Sequence, residues 1–347
     1  MDSKNHKHLV TGSSGFLGKK IIERLVRQGQ KVVGIDIQVD PSPISGIEYI
    51  VGDVRDSKNM EKIIKDISII YHTAALVPLT KAYSDFRSVN EQGSRVLAKL
   101  AKEANVEKFI HISSSAVFGK TVDKEITNET QLNPIEPYGI SKLKAEIAVK
   151  EELKGTNTKL ILIRPRTILG AERGGIFDMF FRWIQASDPV FIMGSGNNKF
   201  QFVHVEDLID AIFLTISKDV SGDFNVGTDS FGTLNDAFSA LIKYSNSKSK
   251  VRHLPVLPAM AALTFLEKLG LSPLAPWHYK TFHLPFFFDV SNLTQLGWKP
   301  RFSNDSMFEN SYDSFKKWSS DTQEFTTSPH RSRLDSRVLS LIQKLFR

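Results

Sequence analysis

The chain has 347 residues, of which 41% are hydrophobic and 24% charged, with no cysteine. This is the composition of a soluble globular protein, long enough for one large or two modest domains. It excludes disulfides, thiolate nucleophiles and thiolate metal sites.

The formal charge is +7. Residues 325–347 hold Arg331, Arg333, Arg337, Lys344 and Arg347 against only Asp335, so this short tail carries four of those charges. The rest of the chain is nearly balanced and has no zinc spacing, RNA motif or long basic run, so no nucleic-acid partner is expected. Residues 1–8 are polar, and no apolar run reaches the ~18 residues of a membrane span. A cytoplasmic, reducing setting is expected.

The first half alternates β-rich runs with helical stretches. Lys7–Thr11 predicts a strand and Phe16–Gln28 a helix that stops at Gly29. Strands are predicted at Lys31–Asp36, Glu48–Val51, Ile67–Tyr71, Phe109–Ile112 and Leu160–Ile163, and helices near 84–104 and 138–153. Such alternation predicts a parallel sheet covered on both faces. The second half is less regular. Helices are predicted near 175–187, 205–218, 233–245 and 258–269, with a turn at Gly194–Asn198. Residues 319–330 read as a linker. Residues 333–347 place Leu334, Val338, Leu341, Ile342 and Leu345 on one helical face.

Leu9-Val10-Thr11-Gly12 runs from strand into turn, and the next helix opens near Gly15. Gly12, Gly15 and Gly18 suit a tight turn, close approach of backbone to a pyrophosphate, and helix–strand packing. The pyrophosphate would meet the positive end of the helix. Ser14, Phe16 and Leu17 complete this loop. Asp36 ends the second strand, where a carboxylate accepts from ribose hydroxyls and repels a 2′-phosphate. No Arg or Lys stands beside it, which favours NAD over NADP. Asp53 and Val54 follow the third strand and could face the adenine. Ala74 and Ala75 follow the fourth, where small residues let a cofactor lie close.

Tyr138 and Lys142 are four apart and share a helix face. A tyrosine that titrates near its usual ~10 is a poor base at neutral pH. A nearby ammonium and a positive nicotinamide would favour the phenolate. A serine from the Ser113–Ser115 cluster would orient the substrate oxygen while Tyr138 exchanges the proton. His72, His111 and His204 lie apart without ligand spacing, so no metal is expected.

These pieces resemble the extended short-chain dehydrogenase/reductase family of NAD-dependent epimerases and dehydratases. The resemblance rests on Thr11–Gly18, Gly52–Asp56, His72–Ala75, Val89-Asn90, Ile112–Gly119, Tyr138–Lys142, Arg164-Pro165, Phe202–Asp207 and Leu296–Pro300. It spans residues 7–318. It implies a Rossmann doubly wound sheet, residues 1–165 with 201–226 returning to it. A smaller α+β substrate domain would follow in 166–200 and 227–318. It assigns the catalytic serine to Ser114, adds Pro165 to the cofactor site, and implies a homodimer through the helices at 84–104 and 138–153. Asn90 matches a position associated with active-site hydrogen bonding, and Ser115 neighbours the substrate.

The departures bear on substrate. Sugar-nucleotide members carry an Arg-Asp pair before the Val-Glu-Asp motif, and its Arg grips the diphosphate. Here the pair is Phe200-Gln201. Their later Arg-x-Gly-Asp element is also missing, and a diphosphate without Arg clamps binds poorly. Phe177, Phe180, Phe181 and Trp183 share one predicted helix, and Leu254–Leu274 is apolar. Two readings stay open: core packing, or a lipophilic pocket walled by Phe177 and Phe200, similar to the 3β-hydroxysteroid and sterol-decarboxylating branch. Lys199, Lys280 and Arg173 leave an anionic substrate open. Ser115-Ala116 replaces the Asp-Glu pair of 4,6-dehydratases.

The expectation is therefore an NAD-dependent oxidoreductase interconverting a secondary alcohol and a ketone, on a lipophilic small molecule. The rivals are a nucleotide-sugar 4-epimerase and a non-catalytic NAD-sensing scaffold. The basic, amphipathic 333–347 segment could lie on an anionic membrane.

Overall fold

The computed structural model describes residues 6–78, 85–120, 125–173, 175–269, 272 and 274–320. Among these, seven parallel strands form one sheet in the order β10-β6-β5-β4-β1-β2-β3. The strands are β1 (Lys7–Thr11), β2 (Lys31–Asp36), β3 (Glu48–Val51), β4 (Ile69–His72), β5 (Lys108–Ile112), β6 (Lys159–Pro165) and β10 (Gly222–Val226). Order reverses beside β1, so the carboxyl ends of β1 and β4 open a crevice there. The fold is a Rossmann-like α/β architecture.

The strands are apolar on both faces because both faces are covered. On β1, Leu9 packs with Val33, Met60, Leu97 and Phe109, under helices α2 (Ser57–Ile64), α3 (Gly93–Glu103) and α4 (Pro137–Leu153). Its neighbour Val10 packs with Ile21, Ile22 and Ile209 on the opposite face, under α1 (Phe16–Arg27) and α6 (Val205–Ser217). Gly29 ends α1 with φ +69°, a conformation glycine adopts freely.

Side-chain capping sets the start of one helix that periodicity did not reveal and of another expected near 233–245. Asp56 caps α2 by accepting from the Asn59 N–H. Thr233 and Asp236 form a capping box on α7 (Leu234–Tyr244). The 84–104 region is not one α-helix, because a π-helical turn, Arg87–Gln92, precedes α3.

The remaining elements are β7 (Thr167–Leu169), α5 (Ile176–Gln185), β8 (Val190–Met193), β9 (Phe202–His204), β11 (Val251–Leu254), α8 (Val256–Lys268), α9 (Pro276–Thr281), α10 (Ser291–Gln295) and α11 (Asn304–Ser320). Two parallel pairs, β11 with β8 and β7 with β9, sit among these helices. The α11 helix runs to Ser320, so the first two residues of the expected linker are helical. The amphipathic 333–347 segment lies outside the described residues.

The aromatic run resolves towards packing. Phe177 is 2% exposed and meets Phe202 and Phe308 edge-on at centroid distances of 5.8 and 5.7 Å. Phe200 is equally buried, 5.1 Å from both Phe202 and Phe282. Neither lines the cavity described below, which corrects their expected place in a pocket wall. Large aromatic side chains lose most by staying wet, and here they join α5, β9 and α11. The apolar α8 does not wall that cavity either. No residue of this helix is buried, and Leu257 and Phe265 face outward.

Candidate active site

A cavity of about 500 Å³ opens at the carboxyl ends of β1, β2, β4, β5 and β6. It is lined by Gly12, Ser14, Gly15, Phe16, Leu17, Gly18, Asp36, Asp53, Val54, Ala74, Ala75, Ser114, Ser115, Tyr138, Lys142 and Pro165. Every residue expected to hold the cofactor therefore borders it.

The turn after β1 is shaped for a close backbone approach. Gly12 sits at φ +69°, and a Cβ there would lie 2.8 Å from the Ala74 nitrogen. A Cβ on Gly18 would lie 2.2 Å from the Gly12 carbonyl oxygen. The Thr73 hydroxyl donates to the Thr11 carbonyl at 2.7 Å and ties the β4 end to this turn. Asp36 accepts from the Ser14 N–H at 3.0 Å and the Gln38 N–H at 3.1 Å. Burial pushes its pKa up, and these donors oppose the rise. A glycine cradle against the start of α1, with a carboxylate at the end of β2, fits a dinucleotide. Asp53 lies on the rim, held by the Arg55 guanidinium, which lowers its pKa.

The catalytic candidates arrive from two elements. Ser114 follows β5 and opens a 3-10 turn, Ser115–Phe118, accepting from the Ala116 N–H at 3.2 Å. Tyr138 lies in the first turn of α4. Glu136 starts that helix by accepting from the Tyr138 and Gly139 N–H groups, with Pro137 at the first helical position. This places the Tyr138 phenol within the influence of the Ser114 hydroxyl, and both border the cavity. One turn on, the buried Lys142 ammonium donates to the Ile112 carbonyl at 2.6 Å.

The electrostatics differ from the sequence expectation. Burial pushes Tyr138 up to about 12, and the groups that pull it down are the Ser114 hydroxyl and the Arg173 guanidinium. Lys142 is instead pulled down to about 8 by burial, opposed by Glu146. Its ammonium donates to a carbonyl at the end of β5, and burial is the largest cause of the shift at both groups.

Asn90 does not line the cavity. It is 1% exposed, accepts from the Leu76 N–H at 2.8 Å and donates to the Ser141 hydroxyl at 2.9 Å. It thus joins the segment after β4 to α4. Ser115 borders the cavity and accepts from Arg166 at 3.0 Å. Sequence reasoning missed Arg166, Trp277 and His278, all of which line the cavity. Arg166 was legible as a charge just past the end of a central strand, where ligands bind in such sheets. Arg173 also lines the cavity, whereas Lys199 and Lys280 do not.

Comparison with known proteins agrees with this geometry. The profile of the NAD dependent epimerase/dehydratase family matches residues 8–227. The uncharacterized protein y4nG of Sinorhizobium fredii is 32% identical over 335 residues, 96% of this chain and 85% of its own. The mouse dTDP-D-glucose 4,6-dehydratase is 28% identical, over 70% of this chain and 74% of its own. The mouse sterol-4-alpha-carboxylate 3-dehydrogenase, decarboxylating, is also 28% identical, over 78% of each chain. Among solved structures, UDP-glucuronic acid 4-epimerase from Bacillus cereus superposes with a TM-score of 0.75 at 23% identity, covering 90% of this chain and 99% of its own. No helix of the described residues is long and apolar enough to cross a membrane. With the family profile covering the sheet and its crevice, the chain belongs to the NAD-dependent epimerase/dehydratase family and is an NAD-dependent enzyme.

Proposed function

We propose that this enzyme oxidises a secondary alcohol or reduces the matching ketone, with Ser114, Tyr138 and Lys142 as its proton-handling group. That Ser114, Tyr138 and Lys142 border the same cavity as the glycine cradle carries this reading. Bound NAD supplies the hydride acceptor or donor and a positive ring. Ser114 orients the substrate oxygen. Tyr138 takes the carbinol proton as a phenolate, or returns it in reduction. Lys142 holds the nicotinamide ribose and adds positive charge near the phenol. Gly12, Ser14, Gly15, Phe16, Leu17 and Gly18 hold the pyrophosphate, Asp36 the ribose, Asp53 and Val54 the adenine, and Ala74, Ala75 and Pro165 the nicotinamide side. Asn90 acts by positioning α4.

A lipophilic alcohol is the first substrate reading. Leu76, Val77, Pro78, Ile168 and Trp277 supply apolar wall, and Phe200-Gln201 stands where a diphosphate-gripping Arg would be. The sterol-4-alpha-carboxylate relative supports it. The second reading is a UDP-sugar 4-epimerase. The superposition on UDP-glucuronic acid 4-epimerase and the cavity-lining Arg173 support that one.

The proposed domain division, 1–165 with 201–226, is supported by β10, which pairs with β6 in parallel register. A homodimer through α3 and α4 and an anionic-membrane contact through 333–347 are proposed as well. Vesicle sedimentation after deletion of 325–347 tests the latter, and unchanged binding sinks it.

The test of the chemistry is Tyr138→Phe. Turnover should fall at least ~100-fold, since a positioned acid–base group contributes ~10²–10⁴, while NAD binding stays intact. Full activity refutes the mechanism. Net NADH formation supports the dehydrogenase, and product formation with no added NAD supports the epimerase.

A further inference from the structure

The substrate end of the cavity contains a buried cation without a counter-ion among the described residues. Arg166 is 1% exposed. Its Nε donates to the Gln201 carbonyl and its Nη1 to the Ser115 hydroxyl, both at 3.0 Å. Its Nη2 is buried with no hydrogen-bond partner among the described residues. The guanidinium lies over the Phe286 ring at 4.0 Å, with Phe200 at 4.7 Å and Phe288 at 5.8 Å. Burial alone pulls its pKa down, to about 9, with no acid opposing the shift.

Aromatic faces recover part of a cation's lost hydration. They do not replace a counter-charge, and a buried ion lacking one is costly. Such costs persist where a ligand completes the site. The carboxylates that line the cavity among the described residues, Asp36 and Asp53, belong to its cofactor end. Around Arg166 the polar neighbours are neutral. The wall also carries Arg173 and His278, whose Nδ1 is buried without a partner.

Position narrows the ligand. Ser115, bonded to Nη1, directly follows Ser114, which borders the same cavity as Tyr138. An anion on Arg166 therefore lies close to the reacting carbon. Nη1 keeps one unused N–H and Nη2 keeps two, the edge that a planar carboxylate engages in parallel. Phe200 and Gln201, which stand in place of a diphosphate clamp, instead build the box around this guanidinium.

We propose that Arg166, with Arg173 on the same wall, binds a carboxylate that the substrate carries next to the carbon being oxidised or reduced. This deepens the alcohol–ketone reading and rests on it. It holds for a carboxylate on either a lipophilic alcohol or a nucleotide sugar.

The test is thermal melting of the NAD-loaded protein with two matched pairs of probes. One pair is UDP-glucuronic acid and UDP-glucose. The other is a 3-hydroxysteroid 4-carboxylate and its neutral 4-hydroxymethyl analogue. One carboxylate should stabilise the protein with an affinity about tenfold or more above that of its neutral partner. The responding pair names the source. Arg166→Gln and Arg166→Met should erase the preference. Without ligand, Arg166→Met should melt at or above the wild-type temperature, because an unpaired buried charge has been removed; a purely structural arginine would lower it.

Equal binding of the neutral partners, no stabilisation by either carboxylate, a preference retained in Arg166→Gln, or a lowered melting temperature in Arg166→Met would each overturn the proposal. If Arg166→Gln does not fold, Arg166→Lys, which keeps charge but loses the fork, should weaken the preference. Binding is read without turnover, so a failure of the Tyr138→Phe test remains separate from a failure here.

Discussion

The Lys142 ammonium and the Ile112 carbonyl meet at 2.6 Å, joining α4 to the end of β5. The bond compensates part of the burial of a charge that is 3% exposed. It also holds the lysine one helical turn from Tyr138.

This burial has a pH signature. Lys142 titrates at about 8 in the folded protein, against 10.5 for a lysine in water. Between those values the unfolded chain binds more protons, so this group adds stability as pH rises. Tyr138 acts in the opposite sense from about 10 to about 12, where the folded state keeps its proton longer. Between pH 7.5 and 9.5, wild-type stability should rise relative to Lys142→Met by about 2 kcal/mol. Urea unfolding at the two pH values measures it. A constant difference between the proteins would contradict the buried ammonium.

Gly18→Ala should damage both the fold and the cofactor site. The added methyl would lie 2.2 Å from the Gly12 carbonyl oxygen, so the turn must move. Overpacking of this kind costs ~1–3 kcal/mol. NAD titration by calorimetry should show affinity reduced at least ~10-fold, about 1.4 kcal/mol.

Asp36→Asn removes the charge at the end of β2 while keeping an acceptor for the Ser14 N–H. The neutral residue no longer repels a 2′-phosphate. The ratio of NADP to NAD affinity should rise about tenfold, equal to about 1.4 kcal/mol. An unchanged ratio in parallel titrations would move cofactor selection to another residue.

Glu146 joins β6 to α4 through Arg164, with bonds of 2.9 and 2.7 Å between side chains 1% and 2% exposed. It also accepts from the Ser113 hydroxyl, beside Ser114. Glu146→Gln leaves Arg164 with Asp223 as its remaining carboxylate, at 2.8 Å. Breaking a buried pair costs ~3–5 kcal/mol. The melting temperature should fall by several degrees or more, and a wild-type value would show the network to be energetically idle.

Ile140 and Ile147 lie on α4 with 41% and 46% of their surface exposed. They are seven residues apart and share one outward face. Replacing both by Glu should convert the proposed homodimer to monomer in light scattering. A monomeric wild-type protein would dismiss the dimer.

The family resemblance singled out Ser114 among the serines at 113–115, and the sequence by itself determined the α/β alternation, the glycine turn, Asp36, and the four-residue spacing of Tyr138 and Lys142. These depend on local rules: strand periodicity, a turn that only glycine fits, and a four-residue helical spacing. Capping side chains explain why α2 escaped an argument from apolar periodicity. What only the tertiary structure decided was where non-local neighbours fall. Phe177 and Phe200 are aromatic in a way that suits a pocket or a core equally, and packing against Phe202 and Phe308 made them core. Asn90 became a tie between segments rather than part of the wall. Arg166 is an ordinary charge in the sequence. It becomes an enclosed cation with no carboxylate partner among the described residues only when Phe200, Phe286 and Phe288, more than thirty residues away, close around it, since burial and pairing are properties of the folded neighbourhood.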